Sequence, residues 1–510
     1  MINVYPLESE NIGFLISLAI VIFSFIAIIL SLISFKYIQK PFIIFIFIIS
    51  SLSSYFMNTY NIVIDDTMIQ NILQTNMSES MDLLSMKQLL YFIILGLIPS
   101  YFIYKTTFIE QSLRTQILSR LKLLVVAILL IVVSIFAFSK HYTSFFREHK
   151  PLRYTVNPVY WIYSIGNYVN KTFNSGPIVL KKIGLDATIK PLDSKEEVDH
   201  PELIIMVVGE ASRSDHFSLN GYEKQTNPLL EKQDIFNFSN MSSCGTTTAH
   251  SVPCMFSFFD KSEYSYKKGI STENILDVLN HTKNIEILWR DNNSDSKGVA
   301  TRLTFEDYKS AKNNTICDKQ SGECRDEGML VGLDTYINER KGKDILIVLH
   351  QMGNHGPAYY KRYPKEFEKF TPVCKTNQLE ECTQEEISNA YDNALLYSDY
   401  FLNKTIEFLK QYNDTHETAL IYMSDHGESL GENGVYLHGL PYIMAPDAQT
   451  KVGSFIWLGD EIKTDIDTNK LKKRLSNNYS QDNLFHTLLG LFEVETELYD
   501  KSKDIINSNE

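Results

Sequence analysis

Leu203-Ile204-Ile205-Met206-Val207-Val208 runs without interruption into Gly209-Glu210. The run is short, wholly apolar and rich in β-branched side chains, which suits a strand buried on both faces of a sheet. Three further runs share the design: Ile285-Glu286-Ile287-Leu288-Trp289, Asp344-Ile345-Leu346-Ile347-Val348-Leu349 and Ala419-Leu420-Ile421-Tyr422-Met423. Helical periodicity fills the gaps between them, as in Ala390 to Leu409 and Gln481 to Leu491. Buried strands alternating with helices predict an α/β domain with a mostly parallel central sheet. Each strand candidate also ends in a polar cluster: Gly209-Glu210, Arg290-Asp291-Asn292-Asn293, His350-Gln351-Met352-Gly353-Asn354-His355 and Ser424-Asp425-His426. Open parallel sheets carry their sites at the carboxyl ends of the strands. The four clusters are therefore expected to converge on one edge.

At 510 residues the chain needs more than one structural unit. Four apolar stretches, at roughly 12–35, 41–60, 88–105 and 121–139, are long enough to cross a bilayer. A cleaved signal peptide fits the first poorly, because further spans follow at once. Lys36 and Lys40 form one basic loop, and Lys105, Arg114, Arg120 and Lys122 form another; both are expected on the cytoplasmic side. The segment between spans two and three holds Asp65, Asp66, Glu79 and Asp82, and is expected outside. The domain that follows an even number of spans then also lies outside. The organisation expected is a helical transmembrane domain over 1–140, an interfacial helix and linker over 141–198, and a catalytic α/β domain over 199–510. Tyr160, Trp161, Ile162, Tyr163 and Tyr168 suit a helix lying among lipid headgroups, with a plain linker helix as the alternative. The charged run Lys195-Glu196-Glu197-Val198-Asp199 reads as the approach to the soluble domain.

The net charge of −13 excludes a general nucleic-acid binder, which needs a basic face. The mean hydropathy of −0.13 averages an apolar first part and a soluble remainder. All six cysteines lie beyond the membrane part, in three sequence-close pairs: Cys244 and Cys254, Cys317 and Cys324, Cys374 and Cys382. An even count in an exported domain reads as three local disulfides, and the spacings are too long for zinc knuckles. Topology and cysteine usage agree on an oxidising compartment such as a bacterial periplasm.

The clusters also suggest a chemistry. Zinc takes about four ligands, and Glu210, Asp425 and His426 supply three of the right type. A hydroxyl from Thr246, Thr247 or Thr248 could supply the fourth and act as an activated nucleophile toward phosphorus. A helix beginning at Thr248 would aim its first N–H groups at a phosphoryl oxygen. His355, His438 and Lys297 could bind the transferred phosphate or protonate a leaving alkoxide. The blander readings are a hydrogen-bonded turn at Asp425-His426, a solvated Lys297 and a satisfied core histidine at His350.

The runs VVGEASRSDHFSLNGYEKQTNP, SSCGTTTAHSVPCMFS, WRDNNSDSKG, HQMGNHGPAYYKRYP, AYDNALLYSD and SDHGESLGENGVYLHG cover nearly the whole soluble domain. In them the chain resembles the lipid A phosphoethanolamine transferases, a group that includes the mobile colistin-resistance enzymes, within the alkaline phosphatase/sulfatase superfamily. The resemblance implies that phosphoethanolamine moves from phosphatidylethanolamine to lipid A, or to another envelope acceptor, through a phosphothreonine. It implies one firmly bound zinc ion, and allows a second, with Glu210, Thr248, Asp425 and His426 as ligands and Thr248 as nucleophile. It implies His355 and His438 around the substrate phosphate, Ser294 and Lys297 as substrate contacts, and Asn71, Thr75 and Glu79 as holders of the lipid. It further implies bridges Cys244–Cys254, Cys317–Cys324 and Cys374–Cys382, and a monomer in the bacterial inner membrane with its catalytic domain in the periplasm. The expected consequence is resistance to polymyxins and other cationic peptides, because an anionic phosphate gains a cationic amine. The family usually has five spanning helices, whereas this chain begins just before the second of them. Two related activities are alternatives. A phosphoglycerol transferase shares the threonine and zinc logic. A sulfatase-like hydrolase needs an arginine where Ser251-Val252-Pro253-Cys254-Met255 ends in methionine. A catalytically dead lipid-binding scaffold is a third reading, opposed by the retention of all four metal-site residue types.

Overall fold

The computed structural model describes residues 8–33, 35, 37–75, 77–107, 112–147, 150–173, 179–189, 200–318 and 322–507. The run 195–199 lies outside them. The chain divides into two compact units, Met1–Ile69 with Leu84–Tyr168, and Gln70–Leu83 with Val169–Glu510.

In the first unit, Asn11–Leu32, Gln39–Tyr60, Met86–Lys105 and Leu113–Ala137 are helices long and apolar enough to cross a membrane. The fourth starts earlier than the hydrophobic run suggested. Ser112 accepts a hydrogen bond from the Thr115 N–H and caps the helix there, and Leu113, Ile117 and Leu118 continue its apolar repeat. Arg114, Arg120 and Lys122 therefore ride on this helix, not in a loop as the charge pattern had suggested. The third helix contains a π-helical turn, Phe92–Leu97. Gly96 packs there so closely that a Cβ would meet Ser51 Oγ at 2.8 Å. The aromatic run forms the helix Val159–Phe173. Trp161 corrects the headgroup expectation for its own ring. It is 4% exposed, packs with Ile64 and Met68, and donates from Nε1 to Asn157 Oδ1 at 3.1 Å. Tyr163 of the same helix is exposed.

The second unit is built on a seven-stranded sheet. Its strands are β1 (Glu202–Gly209), β2 (Ile235–Asn237), β3 (Ile285–Asp291), β4 (Thr304–Asp307), β5 (Asp344–His350), β6 (Glu417–Ser424) and β7 (Ser454–Leu458). The spatial order is β2–β7–β6–β1–β5–β3–β4. The neighbours from β6 to β4 run parallel, while β7 is antiparallel to both β6 and β2. The four apolar runs of the sequence are the adjacent parallel strands β6, β1, β5 and β3. Their side chains divide between two core layers: Ile204, Met206 and Val208 face one, and Leu203, Ile205 and Val207 the other. Burying each such side chain contributes about 1.5–3 kcal/mol, which explains why strands with no polar face persist at the centre.

The helix Gln384–Leu409 covers the second layer with Leu395, Phe401, Leu402 and Ile406. It begins six residues before Ala390 because Thr383 and Glu386 form a capping box. The periodic stretch at Gln481 resolves into a 3-10 turn, Gln481–Asn483, and the helix Leu484–Leu491. Disulfides join Cys244 to Cys254, Cys317 to Cys324 and Cys374 to Cys382.

Candidate active site and metal centre

β1 and β6 are parallel neighbours, with Gly209 opposite Ser424, so their next residues, Glu210 and Asp425, emerge side by side. The turn after β1 is strained. Ala211 sits at φ +53, held by its N–H to Asp425 Oδ1 at 3.1 Å and by the Tyr391 hydroxyl donating to its carbonyl at 2.7 Å. Such left-handed residues persist where their surroundings over-determine them. Gly353, from the loop after β5, approaches from the other side at φ +48, where a Cβ would lie 3.0 Å from the Glu210 carbonyl oxygen.

The three threonines differ in their contacts. The Thr246 hydroxyl donates to the Leu440 carbonyl at 2.7 Å. Thr247 precedes the helix Thr248–Met255, and its buried Oγ1 has no hydrogen-bond partner among the described residues. Thr248 Oγ1 lies 3.2 Å from Glu210 Oε2 and 3.3 Å from His426 Nε2. His426 Nε2 lies 3.4 Å from Asp425 Oδ2 and 3.6 Å from Glu210 Oε1. His426 Nδ1 faces the Gly427 carbonyl at 2.8 Å. A carbonyl only accepts, so the ring proton sits on Nδ1 and the Nε2 lone pair faces the cluster.

These donor atoms fit a zinc ion. Bonds of about 2.0–2.2 Å give a tetrahedron with edges of about 3.3–3.6 Å, close to the separations above. Glu210 Oε1 and Asp425 Oδ2 are buried with no hydrogen-bond partner among the described residues, the condition in which oxygens call for a cation. Burial, and then the Asp425 carboxylate beside it, push the Glu210 carboxyl well above its ordinary range. Burial lowers the His426 imidazole, which favours the neutral, ligating form.

A second cluster adjoins the first. Ligand atoms of His426, Glu428 and His438 all lie within 4.8 Å of one another. Glu428 is fully buried, and its Oε2 lies 3.1 Å from His438 Nδ1. Burial disfavours charge on His438, but Glu428, together with Glu210, outweighs it and raises the imidazole above its usual value. The His355 and His438 ring centroids are 6.3 Å apart, so the two histidines share this side of the site.

Asn293 and Glu428 join the site without belonging to the ligand set that the sequence pattern predicts. Asn293 donates to Glu210 Oε2 at 2.7 Å and to the Gln351 carbonyl at 3.0 Å. Its signal was its place two residues past the end of β3. Behind it, His350 is a core histidine, fully buried with Nδ1 at 2.8 Å from Asp291 Oδ2. Burial opposes ionisation of Asp291, but His350 and the Trp289 N–H hold its carboxyl below the ordinary range.

The segment Gln70–Leu83 belongs to this unit, although it falls within the span 1–140. Gln70 Nε2 donates to the carbonyl of Ala249, the residue after Thr248, at 3.3 Å. Asp82 meets Lys361 Nζ at 2.6 Å and Arg362 at 3.5 Å, and the Asn377 amide donates to its carbonyl at 2.9 Å. Asn71 and Thr75 ride on this segment, with the Thr75 hydroxyl donating to the Asn71 carbonyl at 2.8 Å. The Glu79 side chain lies outside the described residues. Lys297 is not solvated. Its side chain is 4% exposed, and Nζ donates to the Gln74 carbonyl at 3.4 Å. Among the described residues no hydrogen bond joins the Ser294 hydroxyl to the cluster; its carbonyl accepts from Lys309 Nζ at 3.5 Å.

Carboxylates and a histidine at the strand ends, facing a hydroxyl at a helix N-terminus, define an enzyme of the alkaline phosphatase/sulfatase class. The sulfatase family model matches residues 202–494, and the model described as phosphoethanolamine transferase EptA/EptB matches residues 22–173. The chain is 45% identical to the phosphatidylethanolamine transferase Mcr-1 of Escherichia coli over 98% of this chain and 91% of that protein. It is 40% identical to the phosphoethanolamine transferase EptA of Escherichia coli K12 over 100% of this chain and 92% of that protein. The solved lipooligosaccharide phosphoethanolamine transferase A of Neisseria meningitidis superposes with a TM-score of 0.94 at 33% identity, covering 99% of this chain and 94% of that one. The chain belongs to the phosphoethanolamine transferase family.

Proposed function

We propose that this transferase takes phosphoethanolamine from phosphatidylethanolamine and passes it to lipid A, with Thr248 carrying the group between the two. The observation that supports this best is the meeting of Thr248 Oγ1 with Glu210 Oε2 and His426 Nε2 at 3.2 and 3.3 Å. Its similarity to a phosphatidylethanolamine transferase supports the donor, and its similarity to a lipooligosaccharide phosphoethanolamine transferase supports an acceptor of the lipid A class.

Glu210, Thr248, Asp425 and His426 would hold one zinc ion, with Glu428 and His438 beside it as the place for a second. Zinc bound there supplies Lewis acidity that lowers the hydroxyl pKa and offsets phosphoryl charge. The chain's own residues do the rest. Thr248 Oγ attacks phosphorus, losing its proton to the facing Glu210 carboxylate. The Oγ–P bond forms, and the bond from phosphorus to the diacylglycerol oxygen breaks. That oxygen takes a proton from His438, whose imidazole pKa Glu428 helps to raise, or from His355, and diacylglycerol leaves. In the second half the histidine left deprotonated takes the proton of the acceptor oxygen as that oxygen attacks phosphorus, the P–Oγ bond breaks, and Thr248 regains its proton from the carboxylate. Lys297 and Ser294 would grip the headgroup phosphate, and Asn71, Thr75 and Glu79 the lipid side. Most of this work is positioning and charge neutralisation, as phosphoryl transfer requires.

We place the spanning helices of residues 1–140 in the bacterial inner membrane, 141–198 as the interfacial helix and linker, and 199–510 as the catalytic domain in the periplasm. The four apolar helices and three disulfides support that placement. The test is the intact mass of the purified protein after incubation with phosphatidylethanolamine. A gain of one phosphoethanolamine in the wild type, absent from Thr248→Ala, is expected. No gain with zinc present would overturn the reading, and a gain from phosphatidylglycerol instead would make the enzyme a phosphoglycerol transferase.

A further inference from the structure

We propose that Gln481 is a positioning residue that locks the nucleophile segment to the metal-binding end of β6. The inference rests on the reading of Thr248 as nucleophile beside a metal held by Glu210, Asp425 and His426.

Gln481 is fully buried. Its Oε1 accepts from the Cys244 N–H at 2.6 Å and stands 2.8 Å from Ser251 Oγ. Its Nε2 donates to the Ser424 carbonyl at 2.7 Å and to the Asp425 carbonyl at 2.8 Å. An amide offers two N–H donors and one oxygen with two lone pairs, so both donors and at least one lone pair are engaged. Its partners are not scattered. Cys244 precedes the threonine run, and Ser251 lies one turn into the helix that Thr248 opens. Ser424 and Asp425 end the strand that delivers two of the metal ligands. One amide thus holds the segment on both sides of the nucleophile against the ligand-bearing strand end. Ser251 Oγ also lies 2.5 Å from the Asp425 carbonyl. It has one proton, so it can bridge only one of its two acceptors at a time, whereas Gln481 bridges both elements continuously.

The chemistry demands this. A nucleophile must be held to within about 0.5 Å of its productive place, and Thr248 and Asp425 come from segments far apart in the chain. The Cys244–Cys254 bridge closes the nucleophile loop on itself and does not reach β6. Residues behind the ligands of a metal site typically alter affinity or activity by about 10–100-fold when changed.

Two variants separate this role from simple packing. Gln481→Met keeps the volume and removes all four contacts. Gln481→Glu keeps the acceptor side toward Cys244 and Ser251, but turns a carboxylate oxygen toward the Ser424 and Asp425 carbonyls. The full-length protein in detergent, with saturating zinc, is incubated with increasing phosphatidylethanolamine, and Thr248 modification is timed by intact mass. Both variants are expected to lower the saturating rate by about 10–100-fold while the half-saturating lipid concentration stays within about threefold. In the metal-free protein, amide exchange at the Cys244 N–H should also quicken in Gln481→Met. Should either folded variant modify Thr248 at the wild-type saturating rate, or lose only lipid affinity, the proposal is overturned. A wild-type protein that never gains the adduct overturns the underlying reading, and the proposal with it.

Discussion

The hydroxyl of Thr248 stands 3.2 Å from Oε2 of Glu210, across 38 residues of sequence. Neither residue can make this contact alone. Glu210 is delivered by the end of β1, and Thr248 by the first turn of a helix that packs beside it. Replacing Thr248 with alanine should abolish the phosphoethanolamine adduct and reduce transfer by at least about three orders of magnitude, as when one member of a concerted site is lost. Turnover measured with fluorescent phosphatidylethanolamine would show it, and residual transfer above a hundredth of wild type would contradict it.

Asn293 should behave as part of the metal site without touching the metal. Its amide donates to Glu210 Oε2 at 2.7 Å and so fixes the orientation of the carboxylate. Asn293→Leu removes that hydrogen bond at similar volume. Zinc affinity, read by competition with a chromophoric chelator, should fall by about 10–100-fold. Unchanged affinity would show that the carboxylate needs no such anchor.

Asp82 ties the segment Gln70–Leu83 down through Lys361, Arg362 and Asn377. The contact is partly exposed, so its contribution is modest. Asp82→Ala should raise the half-saturating lipid concentration on the order of tenfold, about 1.4 kcal/mol, with little change in the saturating rate. Faster hydrogen exchange confined to residues around 70–83 should accompany it. A fall in the saturating rate alone would place Asp82 in the chemistry instead.

His486 should make the fold acid-sensitive. Burial, and then the Lys503 charge, lower its imidazole from 6.5 to about 4. Its Nδ1 accepts the Asp500 N–H at 3.1 Å, which only the neutral ring can do. A depressed folded-state pKa means that the unfolded chain binds the proton first. The contribution is therefore full above about pH 6.5 and is lost as pH falls toward 4, up to about 3 kcal/mol. His486→Asn keeps an acceptor in the same place without the titration. Denaturant midpoints between pH 7 and pH 4 should fall less steeply in the variant, and equal slopes would exclude His486 as a cause.

Removing the Cys244–Cys254 bridge, which spans 10 residues, should cost about 3 kcal/mol by loop-closure entropy. The double serine variant should show a lower unfolding midpoint and a weaker adduct signal, since the bridge encloses Thr248. An unchanged midpoint would mean that packing around Val252 and Met255 suffices.

Much of this was readable from the chain. The four strands, the four apolar helices and the paired cysteines follow from burial and period, and each of these is a property of neighbours in sequence. The polar clusters at Glu210, Asn293, His355 and Asp425 were legible for the same reason, because each begins where an apolar run stops. Reading failed where a local contact overrode the pattern. The Ser112 cap drew Arg114, Arg120 and Lys122 into a helix, and the Asn157 and Ser50 acceptors drew Trp161 inward.

By itself, then, the sequence determined which segments become strands, which helices can span a bilayer, and which residue types stand at the strand ends. Only the tertiary structure decided that Thr248, and not Thr246 or Thr247, meets Glu210 and His426. It also decided that Gln70–Leu83 packs with the catalytic unit and that Gln481 returns to clamp Cys244 to Asp425. The reason is physical. Periodicity and propensity act over a few residues, whereas a 3 Å hydrogen bond between distant segments depends on where the whole chain has already been placed.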